Sequence, residues 1–206
     1  SDMQNIWDSY RLRSKMNLIV SGSIYSLMQK IFQNSKEPLF GRADNIIKLS
    51  AFDLTTLKTI MHDYYPNYTS DDLLALYTFT GGVPKYVELF CDNRVLSINE
   101  MIAFMCRENS SFTDEGKYLL IEEFGKNYAV YFSILSAISG GINTQPGIEA
   151  ALGDKSVGGQ IKRLIEDYNI VTRHRPLLAK EGSQTARYEI QDNFLRFWFT
   201  YFDRYR

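Results

Sequence analysis

Apolar residues recur along most of this chain three and four positions apart, the spacing of helices that bury one face, and two short runs depart from that rhythm. Met3, Ile6, Trp7 and Tyr10 mark an opening helix. Met16-Asn17-Leu18-Ile19-Val20, closed by Ser21-Gly22-Ser23, suits a buried parallel strand ending in a polar turn. Helical spacing returns at Ile24, Leu27, Met28, Ile31 and Phe32, breaks at Asn34 to Pro38, and gives way to a second strand-like run from Asn45 to Leu49. Strand, helix, strand in that order predicts one edge of a parallel sheet.

From Ser50 the pattern is wholly helical. Asp53 is placed to cap a helix through Leu54, Leu57, Ile60 and Met61, and a second starts at Ser70 with Asp71 and Asp72 in its first turn and ends at Gly81-Gly82. Pro84 opens a third through Tyr86, Val87 and Phe90, and Ser97 with Glu100 forms a capping box for a fourth toward Cys106. Longer helices follow from Tyr118 to Phe124 and from Tyr128 to Ile138. Thr144 then caps a short helix over Ile148 to Leu152, and Ser156 to Ile165 supplies the next, the order of a helix-turn-helix. Ile170 to Arg173 and Ala186 to Ile190 read as two strands flanking a loop with Glu181-Gly182-Ser183, a wing, before Asp192 starts an aromatic helix from Phe194 to Phe202.

The 206 residues, 45% hydrophobic and 23% charged, belong to a folded chain of one or two domains. A net charge of −1 excludes a polybasic protein but leaves room for a local basic face. Cys91 and Cys106 have no Cys or His at metal-ligand spacing and are expected as buried thiols, with no metal site. No apolar run approaches the roughly 18 residues of a membrane helix, so no membrane partner and a cytoplasmic location are expected. The helical pattern begins at the first residues and the aromatic run ends at the last, so both ends are expected to be cuts through a longer chain.

Leu18 to Ser23, Pro38-Leu39-Phe40-Gly41-Arg42, Gly81-Gly82-Val83-Pro84-Lys85-Tyr86 and Arg187 to Trp198, in that order, resemble stretches of the archaeal-type ATPase family of the AAA+ and STAND superfamily. Leu18 to Ser23 is similar to its sensor-1 strand and turn, and Pro38-Leu39-Phe40-Gly41-Arg42 to its "PLYGR" element. Gly81-Gly82-Val83-Pro84-Lys85-Tyr86 resembles the lid signature "GGxPxY", and Arg187 to Trp198 resembles the sequence after the family's winged helix. The resemblance implies a mainly α (α+β) fold in four parts. Residues 1–49 would be the remnant of a parallel α/β AAA+ core and 50–112 a four-helix lid. Residues 113–190 would be a winged helix and 191–206 the start of a further domain.

It also implies roles. Ser21, with Ser23 beside it, would position the attacking water, the alternative being a hydroxyl that caps the following helix. Arg42 would stabilise γ-phosphate charge, or stand in a surface ion pair. Gly82, Val83 and Pro84 would rest against adenine with Lys85 near the phosphates, the alternative being a helix stop and a helix start. ATP and Mg²⁺ are expected in the full-length parent and not on this fragment, because no G-x-x-x-x-G-K-[ST] segment occurs; Gly153-Asp154-Lys155-Ser156 lacks its spacing. The fragment is thus expected to be inactive, part of a switch whose lid rotates with nucleotide state and carries the winged helix with it.

The alternative function is a winged-helix DNA-binding regulator or protein-interaction module. Lys155, Gln160, Lys162, Arg163, Arg173 and Arg175 are the candidate duplex contacts; with Lys180 and Arg187 they face only Glu166, Asp167 and Glu181. His174 between two arginines reads as a solvated wing residue. A partner protein or homo-oligomer is the other expectation, and the aromatics from Phe194 to Phe202 read as core or interface.

Overall fold

The computed structural model describes residues 2–15, 17–22, 25–176 and 186–204, in two units, Ser1–Lys48 and Leu49–Arg206. The first unit holds α1 (Asp2–Tyr10) and α2 (Tyr25–Gln33), and none of its described residues is buried. Neither expected strand forms. Residues 17–20 and 45–49 lie outside any helix or strand, with Ile19 90% and Ile47 82% exposed, and Met16 lies outside the described residues. Two short parallel strands satisfy few of their own backbone groups and cover neither apolar face, so the pairing needs neighbours that these residues do not find. The parallel α/β expectation is corrected accordingly: among the described residues the sheet is one antiparallel pair.

In the second unit α3 (Leu54–Tyr64), α4 (Ser70–Thr80), α5 (Pro84–Asp92) and α6 (Ile98–Met105) follow the sequence reading. Asp53 accepts the Thr56 N–H at 2.8 Å, and Thr69–Asp72 and Ser97–Glu100 form capping boxes. Asp72 is buried, and its carboxylate accepts the backbone N–H of Thr69 and of Ile98, each at 2.8 Å, joining the starts of α4 and α6. Those bonds replace the water an isolated buried carboxylate would lack.

Next come α7 (Phe112–Phe124), a 3₁₀ turn (Gly125–Asn127), α8 (Tyr128–Ser139), α9 (Gln145–Ala151) and α10 (Gly158–Glu166). Strands β1 (Val171–His174) and β2 (Arg187–Ile190) pair antiparallel, with Val171 opposite Ile190 and His174 opposite Arg187. Thr144 occupies the cap position of α9 without a side-chain cap bond; it bridges to Arg187 instead, while Tyr188 N–H donates to the Asn143 carbonyl at 2.8 Å. The segment before α9 thus lies along the hairpin edge.

Helix α11 (Asn193–Trp198), capped by Asp192 and continued by a π turn (Phe199–Asp203), packs against α4, α7 and α8. Its residues, expected to open a further domain, sit within this same unit. Phe194 stacks on Tyr86 with centroids 4.1 Å apart, Phe197 meets Phe79 at 5.0 Å, and the Trp198 indole donates to the Phe112 carbonyl at 2.8 Å. One continuous apolar cluster therefore runs from Leu57 and Met61 through Phe90 and Trp198 to Ile161 and Val171. Cys91 is buried in it; Cys106 is exposed, correcting the expectation, because it falls one residue past α6. No helix among the described residues is long and apolar enough to cross a membrane.

Candidate functional site

The turn between α4 and α5 is built by two glycines in the left-handed region, Gly81 (φ 60°) and Gly82 (φ 75°). A Cβ on Gly81 would lie 2.9 Å from the Phe194 nitrogen, and one on Gly82 would lie 2.3 Å from the Phe52 oxygen. Phe52 N–H donates to the Gly82 carbonyl at 2.7 Å, and Gly82 N–H donates to Thr80 Oγ1 at 3.0 Å. Close backbone approach therefore accounts for both glycines without any ligand. Val83, half-buried, is the cap of α5, and Pro84 and Lys85 are exposed in its first turn. The Lys85 ammonium is paired with Glu115 of α7, whose Oε1 also accepts the Tyr86 hydroxyl at 2.9 Å. Burial, aided by Glu115, pushes the Tyr86 phenol well above its ordinary range, so it remains a donor.

In the first unit Ser21 is exposed four residues ahead of α2, and Ser23 lies outside the described residues. Arg42 donates through Nε and Nη2 to the two oxygens of Asp8 (2.8 and 2.7 Å), and through Nη1 to the carbonyls of Pro38 (2.7 Å) and Phe40 (3.3 Å). The bond to Arg42 holds the Asp8 carboxyl below its ordinary range. Ser21 and Arg42 thus stand in one unit and Gly82 to Lys85 in the other.

Val83 is half-buried and Pro84 exposed, and Lys85 and Arg42, each in its own unit, are already paired with a carboxylate. Among the described residues no three His, Cys, Asp or Glu side chains assemble to hold a metal. Among the described residues, neither a carboxylate cluster for magnesium nor an unpaired Lys85 or Arg42 for a triphosphate is assembled, and no phosphoryl-transfer step follows.

The candidate nucleic-acid residues divide in the same way. On α10, Gln160 is half-buried, Lys162 is paired with Glu166 at 3.7 Å, and a side-chain bond to Tyr131 raises the Arg163 pKa. Lys155, Arg173 and Arg175 are exposed and form no ion pair among the described residues. Lys180 and the wing loop at Glu181-Gly182-Ser183 lie outside the described residues.

Two features were not marked by any spacing in the sequence. Glu115, between Lys85 and Tyr86, is separated from them by about thirty positions. A groove of about 410 Å³ runs beside the hairpin, lined among others by Ser139, His174, Arg187, Glu189, Arg196 and Thr200. Glu189 Oε1 accepts from Arg196 at 2.7 Å, and Glu189 Oε2 lies 3.1 Å from His174 Nε2, so His174 faces a carboxylate although its side chain is 57% exposed.

No family model matches the chain, and no solved structure matches it significantly. It is similar to an uncharacterized protein of Methanocaldococcus jannaschii, 28% identical over 207 residues, an alignment covering 96% of this chain and 44% of that relative. The chain spans less than half the length of this relative.

Proposed function

We propose that this chain is the lid and winged-helix arm of a cytoplasmic AAA+/STAND-type ATPase, a nucleotide-controlled switch whose nucleotide site is completed by other parts of a longer protein. The observation that carries the reading is the way α11 joins the glycine turn to the hairpin. Gly81 packs on Asn193 and Phe194, Asn193 Nδ2 donates to the Tyr77 hydroxyl at 2.8 Å, and three residues on Arg196 bonds Glu189 of β2. A displacement at the turn that would meet adenine is thereby delivered to the wing by one packed helix. The resemblance in the lid and after the wing supports the same assignment.

The test uses the intact protein. Spin labels at Asp71→Cys and Arg173→Cys, in a Cys106→Ser background, should keep one mutual distance with ATP, ADP and no nucleotide. Labels on this arm and on the nucleotide-binding core should change theirs. An intact protein that binds no ATP, or an arm whose position ignores it, overturns the reading.

A second reading, duplex DNA binding, is favoured by the exposed cations Lys155, Arg173 and Arg175. The order helix, edge segment, helix, helix, hairpin is that of DNA-binding winged helices. Duplex affinity should then fall with salt, and neutralising one contacting residue should reduce the log–log slope by about 0.9. Salt-independent or absent binding rejects it.

A further inference from the structure

Among the described residues that line it, the groove beside the hairpin carries unbalanced charge. Arg187 and Arg196 contribute two permanent cations and Glu189 one anion, and both oxygens of Glu189 are occupied, by Arg196 and by His174. Arg187 is exposed and forms no ion pair with a described residue, yet its backbone is fixed twice, by pairing with His174 across the strands and by the bridge to Thr144. A guanidinium on a rigid strand is a preorganised fork of donors suited to two oxygens of one anion. His174 stands directly opposite it, with its Nε2 3.1 Å from Glu189 Oε2. The groove is also lined by the hydroxyls of Ser139 and Thr200, 3.4 Å apart; Thr200 Oγ1 donates to the Arg196 carbonyl at 2.7 Å, which leaves Ser139 as the neutral donor.

We propose that this groove is a binding site for a small anion, a molecule carrying one phosphate or carboxylate group, held chiefly by Arg187 with His174, Ser139 and Thr200 around it. About 410 Å³ is room for a small metabolite and too confined for a duplex. No nucleotide at the glycine turn is needed for binding in this groove.

The 206-residue chain, labelled with ¹⁵N, is titrated with inorganic phosphate and separately with acetate at constant ionic strength, following the amides of 171–174 and 187–190. Saturable one-site shifts are expected, and the tighter probe identifies the ligand chemistry. Arg187→Gln should weaken binding about tenfold or more, the scale of one lost charge-assisted contact. Lys126→Gln, exposed and outside the groove lining, should leave it unchanged. Both variants alter exposed side chains, and their amide spectra verify that the fold is kept. Non-saturating shifts, equal losses in the two variants, or a response to duplex DNA but to neither small anion would overturn the proposal.

Discussion

Gly116 lies in the second turn of α7, where alanine would by propensity alone stabilise the helix by roughly 1 kcal/mol. The packing sets the opposite sign. A methyl on Gly116 falls 2.3, 2.5 and 2.7 Å from Cδ2, Cε3 and Cγ of Trp198, well inside the roughly 3.5–4.0 Å of an ordinary carbon contact. The indole has nowhere to retreat. It is fully buried, it donates to the Phe112 carbonyl, and Phe132 and Phe199 meet it edge-on. Overpacking costs about 1–3 kcal/mol and breaking the indole–carbonyl bond about 1–3 more, so after the propensity gain Gly116→Ala should lose roughly 1–5 kcal/mol. Urea unfolding followed by fluorescence measures this, in a Trp7→Phe background so that Trp198 reports alone. Gly159→Ala is the control: it sits in α10 with nothing within 4 Å of its added Cβ and should gain about 0.5–1 kcal/mol. A Gly116→Ala midpoint at or above the parent's would refute the packing of Trp198 on α7.

Gly82→Ala should cost about 2–4 kcal/mol in the same assay, since a left-handed φ and a collision with the Phe52 carbonyl combine and the obstacle is backbone; a neutral effect would remove the close approach of that turn. Arg42→Gln should return the Asp8 carboxyl upward to its ordinary range in an NMR titration, so that the stability this pair gives above that range, lost as pH falls through the lowered value, disappears; an unchanged Asp8 would contradict the pairing. Burial raises the Asp192 pKa, so its contribution is fully present below the unfolded value of about 3.9 and is lost as pH rises through the folded one. Asp192→Asn, which caps a helix about as well, should flatten that dependence and be no less stable at neutral pH; a loss above about 1 kcal/mol there would show that the charge itself is needed. Ending the chain after Gln191 removes Phe194, Phe197, Trp198 and Phe199, each worth roughly 1.5–3 kcal/mol of burial, a sum comparable with the 5–15 kcal/mol of a whole domain. That truncation should abolish cooperative unfolding and bind ANS, and a parent-like melt would deny α11 its place in the core.

The helices from α3 to α6 were legible because their signals are local. Asp53, Ser97 with Glu100, and the left-handed Gly81 each act within four residues of what they stop or start. The hairpin and α10 were legible for the same reason. The runs at 16–20 and 45–49 misled because a short apolar run records only that residues avoid water; whether they pair depends on neighbours elsewhere. At the candidate site, Pro84 at the head of α5 could be read from sequence. That Lys85 and Arg42 are occupied by Glu115 and Asp8 could not, since those partners stand 30 and 34 positions away. The glycines were recognised as a turn, but the demand for both comes from Phe52 and Phe194, which no local pattern places there.

The boundaries expected at 112/113 and 190/191 would divide the second unit into a lid and a wing that could move separately. The packing argues against a hinge at either place, because the aromatic residues that complete the lid helices belong to α11 and those of α11 are seated on α7. Bistable motion needs an element with two arrangements, and a core this continuous offers one. The turn itself is held at Phe52, four residues past the end of the first unit, through a bond to Gly82 that no larger residue would permit. A pull on the chain before Phe52 therefore acts first on the glycine turn, then through Gly81 on Asn193, and through Arg196 on the hairpin. Within the second unit, the glycine turn, α11 and the hairpin are thus packed as one body.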